Sequence, residues 1–277
     1  MQIILSRKGF DSKNGGQPSP ILPDGTLLSL PILSKDDKTK FSELRHKGKS
    51  YLNIIQDLKP KTKIQNKYNC HLDPDIRKDS LRRCGYWTPL FGQTKAAQGK
   101  LKNNKVKEGD IFLFFGWFKQ TEEINGKIKY VKGAPDLHII FGYLQIGNIY
   151  KTNSNLPKDI NYHAHAQKKY DGDENNCIYK ASEKLIFSDS LSGGGYFNYH
   201  KDLILTKSGH SRSRWNLPDF FKELKITYHN SKSFSNKYFQ SAAIGQEFII
   251  QENTKVTDWA KNIILKGLRN QIELILT

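Results

Sequence analysis

Cysteine is scarce: the 277-residue chain has only Cys70, Cys84 and Cys177. An odd count, at spacings that match no zinc motif, argues against a disulfide scaffold or a cysteine-built zinc site and leaves free thiols in a reducing compartment. Long hydrophobic runs are missing as well. No apolar stretch approaches the roughly 20 residues that span a bilayer. Ile3-Ile4-Leu5 is too short for a signal-peptide core and no small-residue cleavage site follows it, so the chain reads as cytoplasmic, with no membrane partner. The common catalytic signatures do not occur: there is no P-loop, no GxGxxG after a strand, no HExxH and no GxSxG. Standard NTPase, dinucleotide-dependent oxidoreductase, zincin and α/β-hydrolase chemistry lose their usual support. Acidic residues are few: 27 Asp and Glu face 44 Lys and Arg, a formal net charge of +17. Such an excess attracts polyanions, so nucleic acid or a nucleotide is the expected partner, with salt-dependent affinity. A general surplus of surface lysine would give the same count.

What is present suffices for a core, with 37% hydrophobic and 12% aromatic residues. The length suits one large domain or two small ones. No repeat and no flexible linker demands a cut, so residues 1–277 are read as a single domain. The opening stretch Met1–Pro31 has an apolar run that stops at Ser6-Arg7-Lys8-Gly9-Phe10-Asp11, then a glycine pair and four prolines. That is a buried strand feeding a polar loop, an arrangement that often carries function. Ser34–Lys49 reads as an exposed excursion. Tyr51, Ile54, Ile55 and Leu58 have helical spacing, and Pro60 ends that helix. Ile111–Phe118 reads as a buried central strand, Asn125-Gly126 as a hairpin turn, and Leu137–Gly147 as a further strand bent at its glycines. Val256, Trp259, Ala260, Ile263, Ile264, Leu268 and Ile272 mark one face of a C-terminal helix capped by Asn253 or Thr254. The expected fold is α+β, with a curved mixed or antiparallel sheet packed by that helix.

Several constellations carry candidate chemistry. His163 and His165 would point the same way from an extended segment and could share an ion or a phosphate. Asp73 and Asp75 have the same spacing, with His71 adjoining, and make a candidate metal set; ordinary turn carboxylates are the alternative. Asp11 in the opening loop is a candidate acid or base. Arg7 and Lys8 place cations at a strand end. In Ser208–Pro218, Ser211, Arg212 and Ser213 can grip phosphate, and Trp215 or Tyr162 can stack on a base. A basic surface turn with Trp215 in the core is the other reading. Gln246 and Glu247 precede an apolar strand, where a buried member of the pair needs partners. Nothing in the sequence names a cofactor.

Several segments resemble one family: SRKGFDSKNGG within Ser6–Ile32, HLDPDIR at His71–Arg77, FGQTKAAQGKL at Phe91–Leu101, GDIFLFFGWF at Gly109–Phe118, the His163/His165 pair, SGHSRSRWNLPDFF at Ser208–Phe221 and YFQSAAIGQEFII at Tyr238–Ile250. Over essentially its whole length the chain resembles the nucleotide modification associated domain 3 (Nmad3) family. The resemblance implies DNA-base modification, in a phage or defence setting, without supplying a reaction or catalytic residues. Lys107–Gly147 is also similar to PUA-like or EVE-like barrels that hold modified bases. Three readings follow: an enzyme acting on nucleotides or DNA bases with Asp11, His163 and His165 as its chemistry, a non-catalytic reader of modified bases, and a metal-dependent nuclease using Asp73, Asp75 and the histidines.

Overall fold

The apolar run Ile111–Phe115 is buried on both faces, which is why the chain is built around it. The computed structural model describes residues 1–83, 85–151 and 155–276, with side chains through 269; Cys84 and the Ile272 side chain lie outside the described residues. The run opens the long strand β4, and a nine-stranded mixed sheet assembles on it. Its strands are β1 (Ile3–Arg7), β2 (Ser19–Ile21), β3 (Leu90–Gln93), β4 (Ile111–Ile124), β5 (Lys127–Tyr130), β6 (Leu137–Lys151), β7 (Cys177–Ala181), β8 (Gly194–Tyr196) and β9 (Glu247–Ile250). The main path is β9-β1-β4-β6-β7-β3, with β2 and β5 also on β4, and β8 on β6. β1 and β2 run parallel to β4, and the other pairings are antiparallel.

Local chemistry accounts for most of these elements. Asn125 and Gly126 both have positive φ, at 53° and 72°, as the tight turn between β4 and β5 requires. The β4–β6 register shifts between Ile140 and Gly142, a bulge at a glycine. The sheet is rolled enough that Gln93 on one terminal strand donates to Glu247 on the other at 2.7 Å. No backbone ladder joins those two strands among the described residues, so the sheet stays open and the Lys107–Gly147 segment is a long meander in it rather than a PUA-like barrel.

Helix α1 (Tyr51–Leu58) begins where Ser50 accepts the Asn53 N–H at 3.1 Å. It buries Tyr51, Leu52, Ile54, Ile55 and Leu58 in a second core cluster with Phe10, Phe41 and Leu44. Ser34–Lys49 is therefore not the exposed excursion its charge suggests, because Asp37, Phe41, Leu44 and His46 are buried within it. Helix α2 (Lys95–Asn103) follows β3. Helix α3 (Thr254–Leu276) starts at Asn253, whose Oδ1 accepts the Lys255 N–H at 2.9 Å, and packs Val256, Ala260, Ile263 and Ile264 into the main core. Among the described residues, no helix is long and apolar enough to cross a membrane.

Candidate functional site

Beyond the C-terminal end of β1 lies a cleft of about 1040 Å³. That is at the large end of the roughly 300–1,000 Å³ found for small-molecule sites. Three segments far apart in sequence meet there: the opening loop from Arg7 to Asn14, the turn Ser211–Ser213, and the His71, Asp73 and His165 side chains. The opening loop is pinned by Phe10, which is buried and packs edge-on against Phe41 at 5.9 Å. Gly15, at φ +90°, lies against the Phe10 ring, where a Cβ would come within 2.2 Å of it.

The floor is built on histidines. His71 ends a short strand, Asn69–His71, paired with Ile32–Ser34. Its Nδ1 bonds the Asp37 carboxylate at 3.0 Å, and Lys169 reaches the same Asp37 oxygen at 2.9 Å. His165 sits in a one-turn 3-10 helix, Ala164–Ala166, between the Tyr170 ring, stacked at 4.7 Å, and the backbone of Gly92 on β3. Its Nδ1 faces Asn176 Oδ1 at 2.6 Å, and Asn176 Nδ2 donates to the His165 carbonyl at 2.8 Å. The two Nε2 atoms of His71 and His165 lie 3.1 Å apart. Asp73 stands beside them; its Oδ1 accepts the Gly92 N–H at 2.7 Å and lies 3.4 Å from His163 Nε2.

Burial and neighbouring charges set the charge states here. It pushes the His165 imidazole down to about 3, with His71 and His163 adding to it and Asp73 opposing. Burial alone would raise Asp73, but the bond from His163 and the charges of His165, His163 and Lys8 outweigh it, so the carboxyl lies below its ordinary range. At neutral pH the floor therefore holds a neutral His165 beside an ionised Asp73.

Behind the floor, Glu247 is fully buried and gathers three donors on Oε1: Gln93 Nε2 at 2.7 Å, Lys8 Nζ at 3.0 Å and Ser6 Oγ at 3.1 Å. Lys8 also lies over the Phe91 ring at 4.3 Å. This ion pair ties β1 to β9 and fixes the ammonium at the cleft wall.

The mouth is cationic. Arg7 donates to the carbonyls of Ala242 and Ala243 and lies over the Phe248 ring. Burial lowers its pKa, Asp11 opposes, and Arg212 lowers it further. Arg212 donates to Ser12 Oγ at 2.9 Å and covers the Trp117 ring at 4.2 Å. Both guanidiniums bond neutral oxygens, so their charge remains available to an anion. Ser211, Ser213 and Lys13 line the same mouth.

Some sequence-derived candidates sit elsewhere or are engaged otherwise. Trp215 is fully buried against Phe115 and Phe248, and its indole N–H donates to His138 Nδ1 at 3.0 Å, so neither face is open to a base. Trp117 is the tryptophan that faces the cleft. Tyr162 lies in a separate pocket with Arg83 and does not reach the cleft. Asp75 is turned into that pocket as well, gripped by both Arg83 nitrogens at 2.7 Å and by the Trp87 N–H at 3.2 Å. Asp75 thus cannot join Asp73 on one ion. His163 and His165 do not project from an extended segment: His163 caps the 3-10 turn, and it flanks Asp73 from the buried side without lining the cleft. Asp11 lines the cleft, but its Oδ1 accepts the N–H groups of Lys13 and Asn14 at 2.7 and 2.6 Å, which makes it a loop-shaping carboxylate.

Asp37, Asn176, Lys169 and Trp117 had no sequence signal of their own. Each acts through a contact outside any local sequence window, from Asn176 with His165 to Lys169 with Asp37; Trp117 is marked only by its place in the aromatic run Ile111–Phe118.

A family model described as nucleotide modification associated domain 3 matches residues 2–251. No curated protein and no solved structure matches the chain.

Proposed function

Because the chain belongs to the nucleotide modification associated domain 3 family, we propose that it is an enzyme that modifies a nucleotide or a base of DNA held in this cleft. One observation carries the reading: the cationic mouth and the histidine–carboxylate floor share a single cavity although their residues lie up to about 200 positions apart, as the Arg212–Ser12 bond illustrates. Phosphate is held by Arg7, Arg212 and Lys13, with the Ser211 and Ser213 hydroxyls beside them. The base stacks on Trp117 or on the guanidinium that covers it. The reacting atom is then directed at His71, Asp73 and His165. A module that only reads a base would have no use for a buried cluster of titratable groups, and this favours the enzyme over the reader. A nuclease built on Asp73, Asp75 and His163 loses its support, since Asp75 is committed to Arg83.

The test is mass spectrometry of nucleosides from the DNA and nucleotide pools of cells expressing either the wild type or Asp73→Asn, since living cells supply any co-substrate. A modified nucleoside that appears only with the wild type is the expected result. Identical profiles, together with purified protein whose nucleotide affinity is untouched by Arg212→Ala, would overturn the reading.

A further inference from the structure

We infer that His71, Asp73 and His165 form a binding site for one divalent first-row transition-metal ion, with coordination positions left open toward the cleft. The site would supply the chemistry of the modification proposed above, and it rests on that reading only for what the ion does; the binding itself is argued from geometry.

The Nε2 atoms of His71 and His165 stand 3.1 Å apart. Each histidine's other nitrogen is already committed. His71 Nδ1 faces an Asp37 carboxylate oxygen, which can only accept, so Nδ1 carries the hydrogen. His165 Nδ1 faces Asn176 Oδ1, and the Asn176 amide is oriented by its own donation to the His165 carbonyl, so again Nδ1 is the donor. In the neutral rings, both Nε2 atoms are then lone-pair acceptors aimed at one another. Two such lone pairs at this distance repel unless positive charge lies between them, either a shared proton or a cation.

The third group decides between these. One ligand atom from each of His71, Asp73 and His165 lies within 4.8 Å of the others. A proton shared by two imidazoles needs no such neighbour. A metal ion does, because ligands about 2.0–2.2 Å from one ion stand roughly 2.8–3.6 Å apart when they meet at near-octahedral to tetrahedral angles; the two nitrogens at 3.1 Å already meet this, and the Asp73 oxygen would close on the ion from within 4.8 Å. Asp73 is prepared for the role. Its Oδ1 is taken by the Gly92 N–H and turned toward His163, and Oδ2 is the oxygen left for an ion.

The surroundings follow the same logic. Asp37 behind His71 and Asn176 behind His165 are the outer partners that orient metal-bound imidazoles. Gly92 supplies the space for His165, since a Cβ there would fall 2.1 Å from the ring. Two nitrogens and one carboxylate oxygen fit Fe(II), Mn(II), Co(II) or Zn(II), whereas Mg(II) and Ca(II) prefer oxygen sets. Two histidines and one carboxylate with open positions are the donor set of non-haem Fe(II) sites, so Fe(II) is the first ion to try. All three side chains line the cleft, so the open positions face where the proposed substrate would sit.

The test is metal titration of the full chain: anaerobic Fe(II) followed by elemental analysis after desalting, and Co(II) followed by its visible ligand-field bands. One equivalent of either ion in the wild type is expected, with Mg(II) failing to compete. His165→Ala should abolish stoichiometric binding, and Asn176→Ala should weaken it about 10–100-fold through lost orientation. His200→Ala, a histidine outside the cleft, should change nothing. Circular dichroism of each variant separates lost binding from lost folding. If wild type takes up no Fe(II) or Co(II), the nitrogens share a proton only and the inference falls. Equal binding by wild type and a folded His165→Ala overturns it as well. One bound equivalent with no modified nucleoside in cells would leave the site standing and sink the proposed function.

Discussion

His138 is a buried histidine whose titration should be readable as stability. It stands on β6 at 7% exposure, packs edge-on against Phe115, and accepts the Trp215 indole N–H at 3.0 Å. Burial holds its pKa well below the ordinary 6.5, and the charges of Arg7 and Arg212 add to the effect. The sign follows from linkage. In the unfolded chain this ring takes a proton near pH 6.5; in the folded chain it does not. Its contribution to stability is therefore complete above pH 6.5 and is lost as pH falls below it, at up to about 1.4 kcal/mol per pH unit. Between pH 8 and pH 5 the loss integrates to about 2 kcal/mol for one such group. His138→Phe removes the titrating nitrogen, and the Trp215 N–H keeps a second acceptor in the Arg212 carbonyl at 3.1 Å. The substitution carries its own cost, on the order of 1–3 kcal/mol for the larger ring and the lost bond, but that cost does not depend on pH. Urea unfolding followed by circular dichroism at pH 8, 6.5 and 5 measures the difference. The wild type should lose about 2 kcal/mol more than the variant across that range. A gap between the two that stays constant to within about 0.5 kcal/mol would show that His138 either titrates normally in the folded protein or opens to solvent, and would refute the reasoning.

Two further perturbations address the cleft. Gly92→Ala places a methyl group 2.1 Å from a His165 ring that Tyr170 and Asn176 hold from other sides; the overpacking and strained hydrogen bond should cost about 2–4 kcal/mol and lower the melting midpoint by roughly 5–10 °C, and an unmoved midpoint would mean that the ring is free to shift. Trp117→Ala should weaken nucleotide or single-stranded DNA binding by about 1–3 kcal/mol with an unchanged salt slope, whereas Arg212→Ala should flatten that slope; equal slopes in an affinity series from low to moderate salt would remove Arg212 from the phosphate contacts.

Where the sequence pattern has a period, it carries through to the structure. The spacing of Ile54, Ile55 and Leu58 in α1, the apolar run of β4, the Asn125-Gly126 turn and the Asn253 cap of α3 are each decided by residues within a few positions of one another. Helix α2 escapes such reading for a physical reason. It buries only Gln98 and Leu101, holds a glycine mid-helix, and has no side-chain cap bond at Thr94, so it has almost no amphipathic signature. The stretch Ser34–Lys49 misleads in the opposite direction: its charge suggests solvent, yet Asp37 is buried because His71 and Lys169 both need its carboxylate.

The site divides along the same line. Arg7, Arg212, Asp73 and His165 could be nominated by type and neighbourhood, but the partners of each were set by pairings that no local window contains. The rule that residues i and i+2 share a face holds only for extended chain. It fails for His163 and His165, which lie on a 3-10 turn, and for Asp73 and Asp75, of which one enters the cleft and the other meets Arg83 behind it. What replaces the rule is register. The pairing of Asn69–His71 with Ile32–Ser34 brings His71 to Asp37, and the pairing of β7 with β3 puts the residues next to Asn176 beside Gly92, against which His165 packs. A histidine nominated by sequence becomes a ligand candidate only when its second nitrogen is accounted for, and both accounts here, Asp37 and Asn176, stand just outside paired strands rather than beside the histidines in sequence. A substitution that slips the β7–β3 register by one residue should therefore disperse the floor of the cleft while leaving β1, β4 and the cationic mouth in place.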